Sequence, residues 1–184
     1  MILSARLNAL NKLIEKADLL RSSIVEEVKF VSKARPLQFE HVFIVHGHDE
    51  AARVKAARFL EKFGLKPIIL NEQASFGMTI IEKIEKYSDV GFGIILYTPC
   101  DTGGKKATVP VLRDRARQNV VFEHGYLIGK IGRQNVCALV KDNLEIPNDI
   151  SGVVYITMDD ADAWHFKVAK ELKNAGYDID MNKL

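Results

Sequence analysis

The chain is poor in the residues that mark specialised classes of protein. It has two cysteines in 184 residues, Cys100 and Cys137, and neither has a partner at metal-ligand spacing. A disulfide-stapled scaffold and a zinc module are both disfavoured, and a reducing, cytoplasmic compartment is the simplest expectation. No apolar run approaches the roughly 20 residues that span a bilayer. Charged residues alternate with apolar ones from the start, so neither a membrane partner nor a cleaved signal peptide is expected. Charge of one sign is also lacking. Lys+Arg 26 against Asp+Glu 24 leaves +2, too little to call for nucleic acid.

Several sequence signatures are missing as well. No Gly-x-Gly-x-x-Gly follows the first expected strand, and no Gly-x-Ser-x-Gly occurs anywhere. Gly103-Gly104-Lys105 lacks the strand, spacing and Lys-Ser/Thr of a phosphate loop. Dinucleotide redox chemistry, ATP hydrolysis and serine hydrolysis are disfavoured together, and no cofactor is expected.

What remains is a globular composition, 47% hydrophobic and 27% charged, sufficient for one domain and an appendage. Residues 1–36 form the appendage and residues 40–184 the domain. Leu3, Leu7, Leu10, Ile14, Ala17, Ile24, Val28 and Val31 follow a heptad seam, interrupted at Arg21, with no Gly or Pro before Pro36. The segment Met1–Ala34 reads as one long helix, or two with a break near Arg21–Ser23. Its stripe serves either to dock on the domain or to bring copies of the chain together. Pro36 ends it, and Pro36–Glu40 is a short linker.

Strand-like and helix-like segments then alternate. Strands are expected at Val42–Val45, Lys66–Leu70, Val90–Tyr97, Val136–Val140 and Val153–Thr157. Helices are expected after Asp49 as an N-cap up to Gly64, over Thr79–Tyr87 with Ile80, Ile81 and Ile84 on one face, over Arg115–Lys130 ended by Gly129 or Gly132, and over Asp162–Ala175. Thr98–Asp114, with its Pro, Gly-Gly and Lys-Lys, reads as a long flexible loop. Alternation of this kind predicts an α/β fold with a five-stranded parallel sheet covered on both faces. Val90–Tyr97, apolar throughout, is its central strand. Ligands of such sheets bind beyond the carboxyl ends of the strands, at the topological switch point.

The polar residues of interest converge on that rim. His46-Gly47-His48-Asp49 ends the first strand. No further His, Cys or acid cluster completes a metal set, so no metal is expected. Gly47 would let a ligand approach the backbone, with His48 and Asp49 offering hydrogen bonds at a helix N-terminus. In the loop Asn71–Met78, Phe76 beside Gly77 could stack on a ring, bury itself in a neighbouring subunit, or plug the top of the core. Thr98 ends the central strand. In Arg115–Lys130, Arg115, Arg117, Gln118 and Asn119 precede Glu123, which lies among Val120, Val121, Phe122, Tyr126, Leu127 and Ile128. As a surface acid it would pair with Lys130 or an arginine. In a half-apolar pocket it could instead bind sugar hydroxyls and stabilise an oxocarbenium-like centre during N-glycosidic cleavage.

Val-Phe-Ile-Val-His-Gly-His-Asp-Glu, Thr-Ile-Ile-Glu-Lys-Ile-Glu, Ser-Asp-Val-Gly-Phe-Gly and Arg-Ala-Arg-Gln-Asn-Val-Val-Phe-Glu-His-Gly-Tyr-Leu-Ile-Gly-Lys, in this order between Val42 and Gly176, resemble a bacterial group of TIR domains. These nucleotide-binding TIR-like domains are effectors of cyclic-nucleotide anti-phage systems, the TIR-STING and Pycsar TIR proteins. The resemblance implies a flavodoxin-like sheet of order 2-1-3-4-5 and hydrolysis or cyclisation of NAD⁺ with release of nicotinamide, switched on by homo-oligomerisation. It implies that Glu123 is the catalytic glutamate and that Asn71–Met78 is the loop that mediates assembly and closes over substrate. Gly47, His48, Asp49, Phe76, Gly77, Thr98, Arg117 and Asn119 are the expected substrate-binding residues. NAD⁺ enters as substrate rather than cofactor. Effectors of the group usually carry a large sensor domain, where this chain offers the helix Met1–Ala34, so either the activating signal is not in the chain or the helix itself sets the oligomeric state. A non-catalytic assembly scaffold and a nucleoside deoxyribosyltransferase-like enzyme are the alternatives.

Overall fold

Val42 to Val45 are β-branched or aromatic, and in an extended chain they send side chains alternately to two faces. In the computed structural model, which describes residues 12, 14–18, 21, 38–74, 76–147 and 152–184, they form the buried half of strand β1, Gln38–Val45. Gln38–Glu40, expected in the linker, already belongs to this strand. Contacts divide the chain into two units, Met1–Pro36 and Leu37–Leu184. In the first, Lys12, residues 14–18 and Arg21 are helical. The rest of the seam, and the break near Arg21–Ser23, lie outside the described residues.

The second unit continues with α1 (Glu50–Lys62), β2 (Lys66–Ile69), α2 (Ile80–Tyr87) and β3 (Val90–Tyr97). Next come the short strands β4 (Asp101–Gly103) and β5 (Arg113–Arg115), then α3 (Gln118–Ile131), β6 (Val136–Val140), β7 (Val154–Thr157) and α4 (Trp164–Asn174). The five long strands pair in the order β2-β1-β3-β6-β7, all parallel. Counted along the chain that is 2-1-3-4-5, as expected, and every residue of β3 is buried.

Strand alternation builds two cores. Val42, Ile44, Phe92, Ile94, Leu96, Cys137 and Leu139 face α1 and α4, where Phe59, Leu60, Trp164 and Leu172 complete one apolar layer. Phe43, Val45, Ile95, Tyr97, Val136 and Ala138 face the other way, toward Val120, Leu127 and Ile131 of α3. Gly93 lets α3 lie close on β3, since a Cβ there would stand 3.2 Å from Leu127 Cδ1. That contact fixes the height of α3 above the sheet, and so the position of Glu123 four residues before Leu127.

Several expectations change. Thr98–Asp114 is not one loop, because β4 and β5 pair antiparallel with Asp101 opposite Arg115 and Gly103 opposite Arg113. Residues of low strand propensity are held there by the ladder and by the hydrogen bond from Glu145 N–H to Asp114 O, 2.7 Å. Arg115 is therefore strand, and α3 begins at Gln118 with Arg117 as its N-cap. Its end lies at Gly132, φ +83°, where a left-handed residue is needed, and Gly129 stays inside the helix. In α2 only Ile84 of the three isoleucines is buried, while Ile80 and Ile81 are exposed and the stem of Lys83 is covered instead. Strand β2 stops at Ile69, and Leu70–Glu72 is a single 3₁₀ turn.

Candidate active site at the switch point

Between β1 and β3 the chain departs in opposite directions, to β2 from one strand and to β6 from the other. A crevice beyond their carboxyl ends follows from that topology alone. Its floor is His46–Asp49 on one side and Thr98–Cys100 on the other.

Cys100 joins the two sides. Its Sγ accepts from His48 N–H at 3.2 Å and lies 3.2 Å from the buried Thr98 Oγ1. A Cβ on Gly47 would collide with that sulfur, so the close approach that Gly47 permits is the approach of Cys100. His48 keeps its ring at the exposed rim. Asp49 is engaged at both oxygens. Oδ1 caps α1 by accepting from Ala52 N–H at 2.9 Å, and Oδ2 takes Lys141 Nζ at 2.7 Å. The Lys141 contact, with the cap behind it, holds the Asp49 carboxyl below the usual range. Asp49 thus ties α1 to the end of β6.

The loop Asn71–Met78 (described except for residue 75) is tethered by three elements. His46 Nε2 lies 3.4 Å from Asn71 Oδ1 at the end of β1. Arg53 of α1 binds Glu72 and Glu50 together. Lys83 of α2 donates to Gln73 O at 2.7 Å. Downstream, Thr79 and Glu82 form a capping box that starts α2. Between these fixed points Phe76 and Gly77 both adopt positive φ, +44° and +75°. A phenylalanine in that region is strained, and here the turn throws its ring outward, 79% exposed. Phe76 is therefore no plug of the core. Among the described residues Lys86 attends it, with Nζ 5.3 Å from the ring centroid.

Glu123 sits one turn along α3. Val120 and Leu127, its i−3 and i+4 neighbours, are buried, and Glu123 itself is half-buried. Burial raises its carboxyl to about 7, against the opposing pull of the Arg117 guanidinium. A carboxylate in this state can be charged near neutral pH while desolvated enough to interact strongly with a developing cation. Asn119 stands one turn before it on the same flank, exposed, and Arg117 is exposed at the helix start. Arg117 lies near enough to Glu123 to act on its titration.

The other half of the polar run goes elsewhere. Gln118 and Val121 face the opposite flank, where with Arg115 and Glu145 they line a cavity of about 480 Å³. A residue overlooked in the sequence lies beneath Glu123. His124 is fully buried, its Nδ1 2.9 Å from the Tyr97 hydroxyl, and burial lowers its imidazole to about 4. Val120, His124, Leu127 and Ile131 repeat at helical spacing, and that stripe was the available signal.

A 2-1-3-4-5 parallel sheet with helices on both faces is a flavodoxin-like α/β domain. The family model described as "CAP12/Pycsar effector protein, TIR domain" matches residues 41–160, and the chain belongs to that family. An uncharacterised protein of Escherichia coli K12, YuaY, is 47% identical over 143 residues, 77% of this chain and 48% of its own length. Protein tirC of Dictyostelium discoideum is 44% identical over 125 residues, 62% of each chain. The chain thus spans about half the length of the first relative and about three fifths of the second.

Proposed function

We propose that the domain is an NAD⁺ glycohydrolase, an effector of anti-phage defence that acts in the cytoplasm as a homo-oligomer. The observation that carries this reading is the Glu123 carboxyl, half-buried at the switch-point rim with its titration raised to about 7. In the charged form it accepts hydrogen bonds from the hydroxyls of the ribose bearing nicotinamide. As the C1′–N bond breaks, the bonding pair leaves with nicotinamide, a neutral molecule that needs no general acid. Glu123 then offsets the positive charge left on the ribosyl ring. Water completes hydrolysis to ADP-ribose with loss of one proton, or the adenine of the same molecule attacks C1′ and closes a ring. On this reading Arg117, near enough to pull on Glu123, and Asn119 on the same flank would meet the diphosphate and ribose. His48 and the backbone around Gly47 and Thr98 would form the opposite wall.

Assembly is part of the proposal. Phe76 and Gly77 project from a loop tethered on three sides, which suits a contact with a second copy or with the substrate ring. Residues 1–36 would set the number of copies. The same exposed ring favours the second reading, a scaffold that assembles without turnover. Purified protein at high concentration, incubated with NAD⁺ and followed for nicotinamide by chromatography, separates the two. Turnover that falls at least about a hundredfold in Glu123→Gln supports the enzyme. Oligomers without any turnover would favour the scaffold, and transfer of deoxyribose between bases would favour a deoxyribosyltransferase.

A further inference from the structure

We propose that the cavity on the flank of α3 opposite Glu123 is a second ligand site, and that it takes a mononucleotide. Its separation from the rim follows from helix geometry. Gln118 and Val121 face the cavity, whereas Glu123 lies two residues, about 200°, beyond Val121. Lys130, one heptad after Glu123 on the same flank, bonds Glu85 O and Asp89 next to α2. The Glu123 flank therefore faces α2, and the cavity flank faces the connection from β6 to β7.

The cavity is built rather than incidental. Arg115 is held in the β4–β5 ladder and also forms a parallel bridge to Glu145. The hydrogen bond from Glu145 N–H to Asp114 O, 2.7 Å, fixes the facing wall to the same strand. A Cβ on Gly103 would strike the Arg115 guanidinium, so the side chain lies flat over that glycine. Its Nε is buried with no hydrogen-bond partner, and Arg115 makes no ion pair among the described residues. A guanidinium with no ion pair among the described residues, lining about 480 Å³ of space, suits an oxyanion, and its fork matches a phosphate.

The remaining lining selects what carries that phosphate. Val121, Ile146 and Pro147 give apolar surface for a flat ring, while the Gln118 amide and the Glu145 carboxylate can meet hydroxyls or an exocyclic amine. Arginine at one side and glutamate at another suit a ligand with an anionic end and a donor-bearing end. The volume is in the few-hundred-Å³ range of small-molecule sites. A nucleoside monophosphate has these features together.

The site does not depend on NAD⁺ cleavage, and its test reads binding alone. Calorimetric titration of the full chain with AMP and with UMP is expected to show saturable binding of at least one, with adenosine and inorganic phosphate each binding more weakly by about tenfold or more. Arg115→Ala and Val121→Trp, which fills the cavity, should each weaken the nucleotide by about tenfold or more. Arg115→Lys, which keeps the charge and the fold, should lose part of the affinity. Glu123→Gln should bind within about twofold of wild type. No saturable binding of either nucleotide at millimolar concentration would overturn the proposal. So would inorganic phosphate binding as tightly as the nucleotide, or binding lost in Glu123→Gln and kept in Arg115→Ala.

Discussion

Glu123 and His124 are adjacent in α3 and respond to burial in opposite directions. Glu123 is raised to about 7 and His124 lowered to about 4, each because a partly or fully dry site disfavours its charged form. For Glu123 the native carboxyl binds its proton more tightly than the unfolded one. Stability from this group is present in full below the unfolded value of 4.5 and is lost as pH rises to about 7. For His124 the unfolded chain binds the proton more tightly, so stability falls as pH drops from 6.5 toward 4. The two slopes oppose each other in the wild type, and a difference between variants isolates one. Glu123→Gln is expected to raise the melting temperature at pH 8, by an amount equivalent to about 1–2 kcal/mol, and to have little effect at pH 4.5. Equal melting curves for the two proteins across that range would mean that Glu123 is not desolvated. If the charged form is the active one, nicotinamide release should rise with pH through about 7, the range in which the group destabilises the fold. A residue that costs stability in the form the chemistry uses is better explained by function than by packing.

At the scale of elements, the loop Asn71–Met78 is held by side chains from β1, α1 and α2, and the link through Lys83 is the least exposed. Lys83→Met keeps the buried stem and removes the donor to Gln73 O. Amide exchange in this loop is expected to quicken about tenfold or more while the sheet stays protected, as read by hydrogen–deuterium exchange. Unchanged exchange would show the other two tethers to be sufficient. The five long strands were legible in the sequence, because short runs of Val, Ile and Phe and an apolar Val90–Tyr97 alternate with helical patterns, whereas their order came from the family resemblance. Less of the site could be read. The β4–β5 pair rests on a ladder of Asp, Thr, Gly and Arg, held by Glu145 thirty residues on, and no local pattern carries that. Arg115 and Gln118 looked like neighbours of Arg117 and Asn119, yet a strand end followed by a helix start divides the run between two flanks. Cys100 showed no partner in the sequence because its contacts, with His48 N–H and Thr98, come from strand ends that meet only in the folded chain. Glu123 was legible because its apolar company is local.

For the whole molecule, the family covers residues 41–160 and leaves the first forty residues without a counterpart in the match. The domain presents Phe76 at 79% exposure on a strained, tethered turn, with the exposed Ile80 and Ile81 at the start of the next helix. Apolar side chains held outward by positive φ and by a capping box are costly unless something covers them in the working state. If that something is a second copy, turnover per protomer rises with protein concentration instead of staying constant. Phe76→Glu would place a charge in the contact and should abolish the rise, while leaving the melting temperature within a few degrees because the ring supports no core. Rates at several protein concentrations, with size measured by light scattering at each, decide the matter. A Phe76→Glu protein that is monomeric yet turns over at the wild-type rate at every concentration would place the cover on the substrate or nowhere. A wild type whose rate per protomer is flat with concentration, and whose Phe76→Glu form fails to bind NAD⁺, would assign the ring to the substrate.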